Sequence, residues 1–395
     1  MRAQRVAAAA VGLVSVCCAA SISAGSGSTS GSSNRVKAAL APDVSEISII
    51  RKHEGSKTTG HEAETGRPGE IRQARSAKPP AREVFSLPEK GNSLTMRVGT
   101  FNVLTARANK GRSWLERAPA VAREIASRNP DVLAIQELSP GRADGSKATT
   151  TGHLRQTISL EHALERVVGD DRYQLVRTTP YVKPRTEHGT QGTRILYDTR
   201  KFELLSNCPE QTGMRNYNSS CSMDLPLREA DSESLRRSAA YAKFADRKTG
   251  TRFWVVSVHL DDRHSSTLRK EKRYNSLRGK QARAVYLKVN GLREPGEKII
   301  YAGDFNSWKK NRAGDAPREY LMRRGFDDTV AADTRINIKY PTINQFRTKQ
   351  PAKRVRLDVV LIKGMKRALR YENVMKRVDS SRPSDHNLVI SDVVL

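Results

Sequence analysis

Cysteine is scarce in this chain, with four residues among 395. Two of them, Cys17 and Cys18, stand in an apolar N-terminal run, so only Cys208 and Cys221 remain for the rest of the sequence. There is no CxxC pair and no HExxH, and no histidine stands at ligand spacing beside the cysteines. That excludes zinc ribbons, dithiol redox motifs and zinc-peptidase chemistry. No Walker-type glycine-rich loop and no nucleophile elbow occurs, which excludes P-loop nucleotide hydrolysis and α/β-hydrolase acyl transfer. Acidic residues are also short: 42 Asp and Glu face 70 Lys and Arg, for a net charge of +28.

The excess of positive charge is not a basic tail. Residues 1–93 hold 13 Lys/Arg and 8 Asp/Glu, a balance of +5, which leaves +23 on residues 94–395. A surface of that sign attracts polyanions such as nucleic acid, anionic lipid or wall polymers.

The N-terminus has the composition of a secretory signal over residues 1–24. Arg2 and Arg5 supply a positive start, Ala7 to Ala20 form an apolar stretch too short to span a bilayer comfortably, and small residues follow from Ala19 to Gly25. Val16 rather than a small residue precedes Cys17, which argues against a lipid-anchored cysteine. Residues 25–93 begin with a Gly/Ser/Thr run and continue as a polar stretch with almost no aromatics. Such a segment buries too little apolar surface to offset chain entropy, so a disordered linker or pro-segment is expected there. Export to an oxidising compartment predicts a Cys208–Cys221 disulfide. Closing so short a loop stabilises by about 3 kcal/mol in the chain-entropy model.

From Leu94 the pattern is that of a folded domain, 94–395. Strand-like runs are predicted at 96–103, 132–135, 193–197, 239–244, 253–260, 298–302, 357–362 and 387–394, and helices at 114–128, 154–168 and 281–289. Long loops are predicted at about 140–153, 206–237 and 261–276. The loose alternation of strands and helices, with hairpin-like neighbours, suits two packed sheets with helices outside rather than one parallel sheet.

Polar residues with chemical potential stand at or near the ends of the apolar runs. Asn102 and Glu137 end two of them. His259 closes Trp254-Val255-Val256-Ser257-Val258-His259, and Asp261 and Asp262 behind it are candidates to tune it. Gly303-Asp304-Phe305-Asn306 follows Ile299-Ile300-Tyr301-Ala302, where glycine allows a tight exit and two polar side chains then project. Asp358 opens the run Leu357-Asp358-Val359-Val360, and Asp385-His386 lies just before the last run. A charge at the tip of a buried strand is costly unless it is paired or holds a cation. Oxygen ligands of this kind suit Mg²⁺, with Mn²⁺ or Ca²⁺ as alternatives. A carboxylate such as Asp358 would fix the tautomer of His386. An acid, a base and a divalent cation are what phosphodiester hydrolysis requires.

Taken together, Phe101-Asn102, Gln136-Glu137, Ser257-Val258-His259-Leu260, Gly303-Asp304-Phe305-Asn306, Leu357-Asp358 and Ser384-Asp385-His386 resemble the endonuclease/exonuclease/phosphatase superfamily, the DNase I-like fold, across residues 96–395. The resemblance implies a four-layer α/β/β/α sandwich with two packed mixed β-sheets and outer helices. It implies Asn102, Glu137 and Asp385 at the metal, with Glu137 the principal ligand. Asp304 would orient or deprotonate the attacking water, Asn306 would hold a phosphate oxygen, and His386 with Asp358 would act at the scissile phosphate. His259 is similar to a second histidine of the secreted DNase branch and of several phosphatases and phospholipases. Phe101-Asn102-Val103-Leu104 lacks the tryptophan and the acidic residue of abasic-site endonucleases, and Asp385-His386-Asn387-Leu388 lacks the common proline. The expected function is a secreted, metal-dependent nuclease acting on DNA or RNA. The alternative is a phosphatase or sphingomyelinase-like phospholipase at an anionic membrane. No protein partner is implied, and a monomer is expected. The basic run from Arg263 to Arg283, interleaved with Tyr274, is the candidate track for a phosphate backbone.

Overall fold

A computed structural model of the chain describes residues 95–108, 110–146, 154–176, 192–208, 221–375 and 382–395. The signal and linker expected over residues 1–93 lie outside them.

Among the described residues, fourteen strands build two sheets. They are β1 (Thr95–Asn102), β2 (Val132–Gln136), β3 (Tyr173–Leu175), β4 (Arg194–Asp198), β5 (Phe202–Leu204), β6 (Ser222–Asp224), β7 (Ser238–Asp246), β8 (Arg252–His259), β9 (Lys298–Asp304), β10 (Asp327–Asp328), β11 (Thr334–Ile336), β12 (Asp358–Lys363), β13 (Arg367–Asn373) and β14 (Val389–Val394). The first sheet has the order β11-β13-β14-β1-β2-β4-β3, and the second β10-β12-β9-β8-β7-β5, with β6 also on β7. Both are mixed: β1 runs parallel to β2 and β8 parallel to β9, while β14 pairs with β1 and β12 with β9 antiparallel.

Strand parity separates three apolar layers, because successive side chains point to opposite faces of a sheet. Met96, Val98, Val132, Ala134, Phe253, Val255, Ile300, Ala302, Val360 and Ile362 meet between the sheets. Leu133, Ile135 and Leu196 on the outer face of the first sheet pack with Val121 and Ile125 of α1 (Trp114–Arg128) and with Leu160 and Leu164 of α2 (Gln156–Val168). Trp254, Val256, Ile299, Tyr301 and Val359 on the outer face of the second sheet pack with Ala282, Val285 and Val289 of α3 (Leu268–Leu292) and with Leu321 of α4 (Ala316–Met322). The result is the four-layer α/β/β/α sandwich with two mixed sheets that the sequence led us to expect.

Helix α1 starts where Ser113 and Glu116 form a reciprocal capping box and stops at Asn129, which adopts a left-handed conformation ahead of Pro130. Cys208 and Cys221 are joined, with Cα atoms 5.3 Å apart, as expected. The stretch 261–276 differs from expectation. It is not a loop throughout, because α3 begins at Leu268 and runs 25 residues. The face that its N-terminal half buries is polar, with Glu271, Asn275 and Arg278 at helical spacing. Arg278 donates to Glu271 Oε1 (2.8 Å) and to the carbonyl of Arg263 (2.8 Å), and Asn311 donates to Glu271 (2.9 Å). Apolar periodicity therefore carries no signal for this half of the helix.

Candidate active site

The parity that builds the inter-sheet core continues past its last apolar residue. On the same faces, toward one end of the crevice, stand Thr100 and Asn102 of β1, Gln136 of β2, Ser257 and His259 of β8, Asp304 of β9 and Asp358 of β12. Register places His259 beside Asp304 and Asp304 beside Asp358. Just beneath, a buried polar stitch joins the sheets: Thr100 Oγ1 donates to Gln136 Oε1 (3.0 Å), and Gln136 Nε2 donates to Ser257 Oγ (3.3 Å). Gln136 and Ser257 thus hold the two sheet ends in fixed relation.

The backbone is strained around these tips. Leu104, Glu137 and Asn306 have φ of 59°, 58° and 48°. Non-glycine residues in this region cost of order 1–3 kcal/mol and gather at functional sites. Gly303 has φ 151°, and a Cβ there would stand 2.0 Å from the carbonyl oxygen of Val258. Only glycine lets β9 approach β8 this closely just before Asp304.

Asn102 links the carboxylates of both sheets. Its Nδ2 donates to Glu137 Oε1 (3.1 Å) and Asp304 Oδ2 (3.2 Å), and its Oδ1 accepts from the Leu104 amide (3.1 Å). Glu137 Oε2 accepts from the Thr105 amide (3.0 Å). Burial raises the Glu137 carboxyl above its ordinary range, and the nearby Asp385 carboxylate raises it further. Asp385 is anchored through its main chain, its carbonyl accepting from the Asn344 (2.6 Å) and Gln345 (2.9 Å) amides, while Ser384 Oγ donates to the Asn102 carbonyl (2.7 Å).

Arg117 of α1, which sequence reasoning did not single out, holds this arrangement from below. Its fully buried guanidinium donates to the carbonyls of Val103 (2.8 Å), Leu104 (3.0 Å) and Pro383 (2.9 Å). It thereby ties the chain after Asn102 to the chain before Asp385. Burial lowers its pKa to about 10, with Asp385 and Glu137 opposing that shift.

From the segment ahead of β14, His386 reaches the acids of the second sheet: its Nδ1 is 2.9 Å from Asp358 Oδ2, and its Nε2 is 3.8 Å from Asp304 Oδ2. Burial alone would make this imidazole less basic. Asp358 and Asp304 outweigh that, helped by the Asp358 hydrogen bond and by Asp385, and hold its pKa well above 6.5. His259 is the reverse case. Its Nε2 is 3.6 Å from Asp304 Oδ2 and 3.3 Å from Arg237 Nη1, and its buried Nδ1 has no partner. Burial, reinforced by the Arg237 charge, pushes its pKa down to about 3. One imidazole is therefore pushed up and the other down, on either side of Asp304.

Neither acidic residue that follows His259 touches its ring. Asp261 pairs with Arg263 (2.6 Å), and Asp262 pairs with Arg237 (2.7 Å). Arg237, just ahead of β7, is a second site residue that the sequence did not reveal, since only the β7–β8 pairing brings it to His259. Asn306 lies at the site, with one amide N–H given to the carbonyl of Leu260 (3.0 Å).

Two groups of oxygen and nitrogen donors suit a cation here. Asp304, Asp358 and His386 offer ligand atoms within 4.8 Å of one another. In that group His386 Nδ1 already lies 2.9 Å from Asp358 Oδ2. Glu137 and Asp385 make no ion pair among the described residues, and the Arg117 guanidinium donates to main-chain carbonyls. A divalent ion bound by hard oxygen donors fits this pair, and its charge would relieve the repulsion that raises Glu137.

Of the residues expected from sequence, Asn102, Glu137, His259, Asp304, Asn306, Asp358, Asp385 and His386 all converge on this one end of the crevice. The Endonuclease/Exonuclease/phosphatase family model matches residues 99–386. Solved structures share the fold. One is a mannosyl-6-phosphatase from Bacteroides thetaiotaomicron, 20% identical, which covers 76% of this chain and 100% of its own, with a TM-score of 0.55. Another is an endonuclease/exonuclease/phosphatase family protein from the same organism, at 19% identity, 76% and 98% coverage and a TM-score of 0.55. A third, from Bacteroides vulgatus, gives 19%, 76%, 98% and 0.52. At these identities the likeness is one of fold. No curated protein sequence matches the chain. With the family model spanning nearly the whole of the sandwich, and every expected site residue gathered at one end of it, the chain belongs to the Endonuclease/Exonuclease/phosphatase family, typically divalent-metal-dependent hydrolases of phosphoric ester bonds.

Proposed function

We propose that this chain is a secreted, Mg²⁺-dependent phosphodiesterase that cleaves nucleic acid, Mn²⁺ or Ca²⁺ being the other candidate cations. The observation that carries the reading is the geometry around Asp304, whose Oδ2 lies 3.6 Å from His259 Nε2 and 3.8 Å from His386 Nε2, with His386 Nδ1 2.9 Å from Asp358. A bound divalent ion would supply electrostatic stabilisation of the phosphoryl oxygens. Asn102, Glu137 and Asp385 would hold it. Asp304, which accepts from Asn102 and faces both imidazoles, orients the attacking water and takes its proton. His386, kept protonated by Asp358, stands ready to stabilise the charge on the phosphoryl group or to protonate the leaving oxygen. Neutral His259, with Arg237 beside it, adds hydrogen-bonding capacity for a phosphate oxygen, and the amide of Asn306 adds more.

Nucleic acid is favoured by charge. Arg263 and Arg278 are engaged internally, with Asp231, Asp261 and Glu271, and so leave the proposed track. Arg269, Lys270, Lys272, Arg273, Lys280 and Arg283 of α3 are exposed. The Cys208–Cys221 bridge supports export to an oxidising compartment.

The test is a substrate panel of plasmid, RNA, phosphoinositide, sphingomyelin and a sugar phosphate, with Mg²⁺, Mn²⁺, Ca²⁺ or EDTA. Cleavage of plasmid or RNA that EDTA abolishes is the expected result. Turnover of sphingomyelin or of a phosphomonoester with intact plasmid and RNA would overturn it.

A further inference from the structure

Asn306 is followed two residues later by Trp308, so the indole begins no more than about 7 Å of chain from the site. The chain has three tryptophans. Trp114 and Trp254 are 1% and 5% exposed, whereas Trp308 is only half-buried. Its ring is supported by His264, with centroids 5.4 Å apart and planes inclined by 54°. His264 is in turn held by Glu271 of α3, 3.1 Å from its Nδ1. The loop carrying Trp308 is fastened to the same helix: Asn275 donates to the Ala313 carbonyl (2.8 Å), and Asn311 to Glu271 (2.9 Å). The ring is therefore fixed at the rim rather than hung on a free loop.

The loop that carries it is cationic. Lys309, Lys310 and Arg312 follow it directly, are exposed, and make no ion pair among the described residues. Elsewhere, Arg228 and Arg263 are locked onto Asp231 and over the Tyr274 ring. The contrast separates cations that hold the fold from cations left free for a ligand.

We propose that Trp308, backed by His264 and followed by the exposed Lys309, Lys310 and Arg312, is a stacking platform for a base of single-stranded nucleic acid next to the scissile phosphate. The proposal rests on the nuclease reading and narrows it to strands whose bases are unpaired. A flat ring with free cations around it is how a protein grips a strand without reading its sequence, since every base has a π-face and every nucleotide a phosphate. Leu268 is the only large apolar side chain exposed on the first turn of α3. A single ring and a single leucine set among cations do not form the continuous apolar tip that membrane insertion requires.

The experiment uses the full chain in EDTA, so that binding is read without cleavage. Labelled oligo-dT, the same strand in duplex form, and phosphatidylglycerol/phosphatidylcholine vesicles are titrated in turn. Tryptophan emission is followed together with anisotropy. Because the other two indoles are buried, quenching reports Trp308. The expected result is quenching by oligo-dT. Trp308→Ala, with an unchanged melting temperature, should bind oligo-dT roughly 5- to 150-fold more weakly, and Trp308→Phe should recover part of the loss. Lys309→Ala/Lys310→Ala should instead flatten the salt dependence, by about 0.7 in log–log slope per cation removed. The proposal is overturned if oligo-dT binds without quenching, if duplex binds as tightly and loses as much in Trp308→Ala, or if only vesicles quench. Turnover of a small phosphodiester by the unaltered chain with Mg²⁺, measured in parallel, tests the catalytic reading independently of the platform.

Discussion

The two sheets bring different electrostatics to the same crevice. The rim of the second sheet is balanced from outside it. Asp304 and Asp358 face each other across β9 and β12, an arrangement that would repel, and the His386 ring, from the segment ahead of β14, lies against both. The rim of the first sheet is not balanced. Glu137 and Asp385 lie near one another, and Arg117 below them is bound to carbonyls. In the reading proposed above, the acids of the second sheet serve the acid–base chemistry and those of the first hold the metal, with Asn102 as the hydrogen-bonded link between them.

The largest effect expected from breaking this division is on the second rim. His386→Ala should lower kcat/KM on the cleaved substrate by about 10²- to 10⁴-fold. Calorimetric titration of the same variant should show cation affinity close to that of the unaltered chain. A loss of cation binding there would place the metal among Asp304, Asp358 and His386 instead.

Gly303→Ala should destabilise the fold by roughly 3 kcal/mol or more, read by denaturant unfolding, since the added Cβ meets the Val258 carbonyl at a positive φ. A tolerated alanine would mean that β8 and β9 can separate without loss of the site.

On the first rim, Glu137→Gln should weaken divalent-cation binding by about 10- to 100-fold while leaving the EDTA-treated protein at least as stable. The sign follows from the raised carboxyl. A group whose folded pKa lies above its unfolded one favours folding when protonated. Metal-free protein should therefore lose stability as pH rises from the ordinary glutamate range through the raised value, and Glu137→Gln should remove that slope. Thermal melts in EDTA across this range would show it.

The smallest signal is spectroscopic. In metal-free protein, His386 should titrate above its ordinary value and His259 should stay neutral down to about pH 3, as read by ring-proton shifts. If both titrate together near 6.5, the asymmetry around Asp304 is absent.

Much of the fold was legible because β-strands here obey a strict alternation. Val132 and Ala134 turn inward, Leu133 and Ile135 outward, and the same parity carries Gln136 inward. The six motifs sit where that alternation runs out of apolar residues. The first half of α3 was not legible, because its buried face is Glu271, Asn275 and Arg278, whose burial makes sense only once Asn311, His264 and the Arg263 carbonyl are in place. Short strands such as β3, β6 and β10 carry too few residues to show a period. Arg117 and Arg237 gave no signal among 70 basic residues.

The sequence by itself determined the layered fold, the family and the membership of the site, since each of these rests on periodicity and on residue type at strand ends. Only the tertiary structure decided what surrounds each member. A histidine's charge is set by what faces it through space, and Asp358 faces one ring while Arg237 faces the other. Which carboxylates need an outside cation is likewise decided by where Arg117 and His386 come to rest, far along the chain from the acids they serve or leave alone.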